Sequence, residues 1–112
     1  MNYKTIDVTK KDIENGIPED CHACPIALAI EREFSYKNDP SIEIYVAGSR
    51  DIFVQGYRPD FITYFRVHPE DLKKVENFIG DFDYILNHSN HRKPLTEFSF
   101  RYTTSENGNA NI

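Results

Sequence analysis

Cys21 and Cys24 are the two cysteines of the chain, three residues apart in Asp20-Cys21-His22-Ala23-Cys24-Pro25. Two thiolates at that spacing can close on one tetrahedral metal ion, and His88-x-x-His91 could supply two imidazoles. Cys21, Cys24, His88 and His91 together would form a zinc site, although a single cysteine pair is only half of one. The same pair could do thiol redox chemistry, because backbone N–H groups at a helix start stabilise a thiolate. The order is wrong for a thioredoxin-type motif, however. The pair follows a loop rather than a strand, and it is the second cysteine that precedes the helix. The plainest role for Cys24 is to pack, as a small residue, where a helix begins.

Acid–base or hydrolytic chemistry has less to stand on. Glu19-Asp20, Glu70-Asp71 and the pair Asp81 and Asp83 are close in sequence, but none comes with a recognisable histidine or metal partner pattern. No serine lies in a nucleophile-elbow context, and no Gly-rich phosphate loop is present. Binding is better supplied. Tyr57, Arg58, Tyr64, Arg66, Arg101 and Tyr102 mix aromatic and guanidinium groups on strands or near their ends. Such groups can stack on bases or nucleotides. They are equally the residues enriched at protein–protein hot spots.

Charge weighs between these partners. The formal net charge is −5, which argues against nonspecific binding to nucleic acid or to an anionic membrane. It suits either plain solubility or an acidic face offered to a basic protein groove. The N-terminal stretch lacks the apolar core of a signal peptide, and no apolar run approaches the roughly 20 residues that span a bilayer. A cytoplasmic setting is expected, with both thiols reduced.

The elements that must position these residues can be read in order. Tyr3 to Val8 alternates as a strand, and Thr9-Lys10-Lys11-Asp12 fits a capping box opening a short helix that ends at Asn15-Gly16. Pro25 suits the first position of a second helix, with Cys24 at its N-cap and Ile26, Ala27, Ile30 and Phe34 on one face. Ile42 to Val46 and Asp51 to Gln55 flank a Gly-containing turn as a hairpin, and Phe61 to Val67 supplies another strand. From Pro69 a long helix carries Leu72, Val75, Phe78, Ile79 and Phe82 at three- and four-residue steps, with Gly80 against the pattern. Thr96, Phe98, Phe100 and Tyr102 share one face of a last strand.

The order β-α-α-β-β-β-α-β predicts an α+β fold with a mostly antiparallel sheet of about five strands and helices packed on one face. Residues 1–102 are expected to form one domain. Residues 103–112 lack core-forming side chains and are expected to be a flexible polar tail.

Asp12-Ile13-x-x-Gly16, Cys24-Pro25-Ile26-Ala27-Leu28-Ala29-Ile30, Phe78-Ile79-x-x-Phe82-Asp83 and Pro94-x-x-x-Phe98-x-Phe100 together resemble small uncharacterised proteins of bacteria and their phages. The resemblance touches most of the chain before the tail and implies no activity. The expectation is a small non-catalytic interaction or accessory protein, phage-encoded or host-modulating, with a protein partner. The alternatives are a zinc-stabilised adaptor and a small-ligand or nucleotide binder.

Overall fold

The computed structural model describes residues 2–18, 20–34, 42–56, 62–87 and 95–106. Strand β1 (Lys4–Val8) leads into α1 (Lys10–Asn15) and α2 (Pro25–Glu33). Strands β2 (Glu43–Gly48), β3 (Asp51–Gln55) and β4 (Ile62–Val67) follow. A 3-10 turn at Pro69–Asp71 then opens α3 (Leu72–Asn87), and β5 (Phe98–Glu106) comes last. The sheet has the order β1-β5-β4-β3-β2, with every neighbouring pair antiparallel. The last strand in sequence therefore lies between the first and the fourth.

Alternation sends one side of each strand into the core: Ile6 and Val8, Ile44 and Val46, Ile52 and Val54, Phe65 and Val67, Phe100 and Tyr102. Ile26, Ala27, Ala29 and Ile30 of α2 and Val75, Phe78 and Phe82 of α3 fill the same core. Helix α2 contacts both edge strands, β1 and β2. Near its start the Val46 N–H donates to the Cys21 carbonyl at 2.8 Å. Near its end Arg32 Nη2 donates to the Asp7 carbonyl at 2.7 Å. Five strands laid flat would span about 19 Å at their usual spacing. One helix touching both outer strands requires the sheet to curl around it. The small side chains of Ala27 and Ala29 allow that close approach.

Local signals set the ends of these elements. The Thr9 hydroxyl accepts from the Asp12 N–H while the Asp12 carboxylate accepts from the Thr9 N–H, so the capping box forms. The same carboxylate receives Arg32 Nη1 at 2.7 and 2.8 Å, tying the start of α1 to the end of α2. Gly16 allows the close approach of the two helices, because a Cβ there would lie 2.5 Å from Pro25 Cδ.

Strand β5 runs further than its side chains suggest. Thr103, Thr104, Ser105 and Glu106 pair with Arg66, Phe65, Tyr64 and Thr63, so the strand continues past residue 103. Backbone pairing with β4 holds these residues, and polar side chains do not prevent it. Asp71 does a related job at the other end. Where β4 stops, the His68 N–H donates to the Arg101 carbonyl, and the Arg101 N–H turns to the Asp71 carboxylate at 2.8 Å. Arg101 Nε and Nη2 reach the same carboxylate at 2.9 and 3.0 Å. The Arg101 guanidinium holds the Asp71 carboxyl well below the usual carboxylate range.

A folded-state value below the unfolded one means that Asp71 contributes its stability in full above the ordinary carboxylate range. That contribution is lost as pH falls. Thermal unfolding should show the loss beginning below about pH 4, and Asp71→Asn should cost about 2 kcal/mol at neutral pH while flattening the acid limb. Gly80 is exposed in mid-helix, with no atom within 4 Å of an added Cβ. Gly80→Ala should therefore stabilise the protein by about 0.5–1 kcal/mol in denaturant titrations.

Candidate functional site

The cysteine stretch is a tight turn clamped to the edge of β2. Asp20 Oδ1 accepts from the His22 N–H at 2.9 Å, the Ala23 N–H donates to the Asp20 carbonyl, and the Ile17 N–H donates to the Ala23 carbonyl. Beyond the bond from Val46 to the Cys21 carbonyl, His22 Nδ1 lies 3.1 Å from the Ile44 carbonyl. A carbonyl only accepts, so this hydrogen bond requires the proton on Nδ1. Cys21 and His22 thus cover the edge of β2 with a backbone acceptor and a side-chain donor, which blunts an edge otherwise open to strand pairing.

Cys24 is the N-cap residue of α2, and Pro25 takes the first helical position. Burial pushes the Cys24 thiol up, against the opposing effect of the Ile26 and Ala27 N–H groups. Its sulfur is therefore less ionised than an exposed thiol at neutral pH. A cleft of about 300 Å³ lies beside it, lined by Asp20, Cys21, Cys24, Ala47, Phe78 and Asp83 among others. Among the described residues no group of three or more His, Cys, Asp or Glu side chains could hold a metal ion. Cys21 and Cys24 thus stay half of a site, and His88 and His91 lie outside the described residues.

Of the six residues predicted for binding, the four that are described, Tyr64, Arg66, Arg101 and Tyr102, are not on one surface. Tyr57 and Arg58 lie outside the described residues. Tyr102 is 2% exposed in the core, on the opposite side of the strand from Arg101. Arg101 is engaged by Asp71 and by Glu70. Tyr64 and Arg66 do stand together on the solvent side of β4.

The structure joins Tyr64 to residues that the sequence reading did not select. Tyr45 and Phe53 are paired across β2 and β3, and Phe53 and Tyr64 across β3 and β4. Their rings stand 4.7 and 5.7 Å apart. The His22 ring meets Tyr45 edge-on at 4.4 Å. Four rings thus run from the cysteine turn across three strands, on the side of the sheet away from the core. Alternation within β2 and β3 was the available signal, since Tyr45 sits between Ile44 and Val46 and Phe53 between Ile52 and Val54. Burial and the nearby Glu43 carboxylate push the Tyr45 phenol up.

No helix among the described residues is long and apolar enough to cross a membrane. Comparison with protein-family models, curated proteins and solved structures finds no match.

The setting of Cys24 predicts its reactivity. Alkylation at neutral pH, resolved by peptide mass spectrometry, should label Cys24 at least about tenfold more slowly than the same cysteine in denaturant. Equal rates would mean that the start of α2 opens freely.

Proposed function

We propose that this chain works by binding rather than by catalysis, as an accessory protein that engages another protein through the ring row of its sheet. Tyr45, Phe53 and Tyr64 form the centre of that surface, and the partner presents arginine or lysine side chains to it. The observation that carries this reading is the row itself. Three aromatic side chains in contact across three strands turn away from the core, and Tyr64 remains 37% exposed. Rings locked by cross-strand contact lose little further freedom on binding, which lowers the cost of association.

Charge supports a basic partner. The chain carries 18 acidic against 13 basic side chains. Glu43 stands on the same side of β2 as Tyr45, two residues away. A guanidinium stacked on a Tyr45 or Tyr64 face gains a cation–π contact, and one near Tyr45 also meets the Glu43 carboxylate. A protein that covers a basic surface in this way is suited to modulating a host factor.

Titration with a short Arg-rich peptide, followed by amide NMR, should shift residues 43–46, 52–55 and 62–66 selectively. Tyr64→Ala should weaken binding about tenfold. Shifts scattered over the whole surface, or equal shifts with a Glu-rich peptide of the same length, would overturn the proposal.

A further inference from the structure

A second cleft, of about 340 Å³, lies where the β2–β3 turn meets the end of β4 and the start of α3. Its polar lining is Ser49 and Arg50 from the turn, Arg66 from β4, Thr103 from β5 and Tyr3; Leu72 belongs to an otherwise apolar wall. Among the described residues no acidic side chain lines it, in a chain where acids outnumber bases.

Three features of this lining point to a ligand. Neither the Arg50 nor the Arg66 guanidinium has a hydrogen bond or ion pair among the described residues. Arg32 and Arg101, by contrast, are each committed to a carboxylate. Asp51 neighbours Arg50 in sequence and falls opposite Arg66 when the β3–β4 register is continued, yet it pairs with neither and stays out of the cleft. Finally, Ser49 is only 7% exposed, lines the cleft, and has a hydroxyl with no hydrogen-bond partner among the described residues. No buried side-chain oxygen among the described residues lacks a partner, so the Ser49 hydroxyl is not sealed in the core but opens to the cleft, where it is free to donate.

We propose that this cleft binds a small organic phosphomonoester, its phosphate between Arg50 and Arg66 with Ser49 as a further donor, and its organic part against the Leu72 wall and the Tyr3 ring. A single guanidinium fork satisfies both oxygens of a carboxylate. Two forks and nearby hydroxyls offer more donors than a carboxylate can use, and they match the three terminal oxygens of a phosphomonoester. The volume is at the small end of ligand pockets, which run from about 300 to 1,000 Å³. The ligand is therefore a compact phosphorylated molecule. Tyr3 is already steadied by its ring contact with His68 at 4.5 Å. The site is separate from the ring row and stands independently of the protein-binding proposal.

Phenyl phosphate is the probe, compared at fixed ionic strength with benzoate and inorganic phosphate by calorimetry and amide NMR. Phenyl phosphate should bind saturably at one site, shifting residues 48–51, 65–67 and 103, and should bind more tightly than either comparator. Arg50→Ala and Arg66→Ala should each weaken it at least about tenfold, as expected for loss of charge-assisted hydrogen bonds. Both arginines are exposed, so both variants should keep the parent unfolding temperature. No saturation by about 10 mM, a weak affinity even for a small fragment, would overturn the proposal. So would unchanged affinity in both variants, or benzoate binding as tightly as phenyl phosphate. Equal binding of inorganic phosphate would overturn the role given to the apolar wall.

Discussion

Asp71 holds β5, an interior strand of the sheet, at the point where its neighbour β4 has run out. Its carboxylate takes the Arg101 N–H and two guanidinium N–H groups, while His68 still pairs with the Arg101 carbonyl. The position matters because β5 forms last in sequence and lies second in the sheet. Without it, β1 has no strand partner and β4 loses one side. The 3-10 turn that carries Asp71 also launches α3, so one ionic contact fixes both an interior strand of the sheet and a helix that packs on its core. The nearly buried Asp71 carboxylate here also takes a backbone N–H that has no strand partner, which an exposed salt bridge does not do. Such a contact is worth more than a surface pair.

A curled sheet needs its two edges managed, and α2 with its approach does this. The Cys21–His22 turn covers β2, and Arg32 reaches the Asp7 carbonyl on β1. Cys21 and His22 therefore have a structural task whatever else they do, and Cys24 has another as the half-buried start of the helix. A metal or redox role would be added to a turn that already explains why the chain adopts this path.

Two surfaces of different chemistry emerge, one on the outer side of the sheet and one at its end, where the β2–β3 turn meets β4 and α3. The ring row from His22 to Tyr64 is apolar and flanked by Glu43. The cleft between Arg50 and Arg66 is positively charged and lined by hydroxyls. Tyr64 and Arg66 are two residues apart on one strand and serve the two separately. Pairing Tyr and Arg by sequence proximity merged them, because alternation reports which side of a strand a residue takes and not what stands beside it on the next strand.

Local structure was legible in the sequence wherever a local rule governed it. The capping box at Thr9 and Asp12, Pro25 at the start of α2, the hairpin around Gly48 and the apolar stripe of α3 each rest on contacts within a few residues. The same alternation already placed Tyr102 beside Phe98 and Phe100 in the core, against its selection as a binding residue. Strand order lay beyond such rules. The insertion of β5 between β1 and β4, its continuation through Thr103–Glu106, the ring row and the meeting of Arg50 with Arg66 all depend on which backbones pair across long stretches of chain. Hydrophobic pattern gives a strand its inner and outer sides but not its neighbours. Neighbours are chosen by the one arrangement that buries all the inner sides together, and only the tertiary structure decides it.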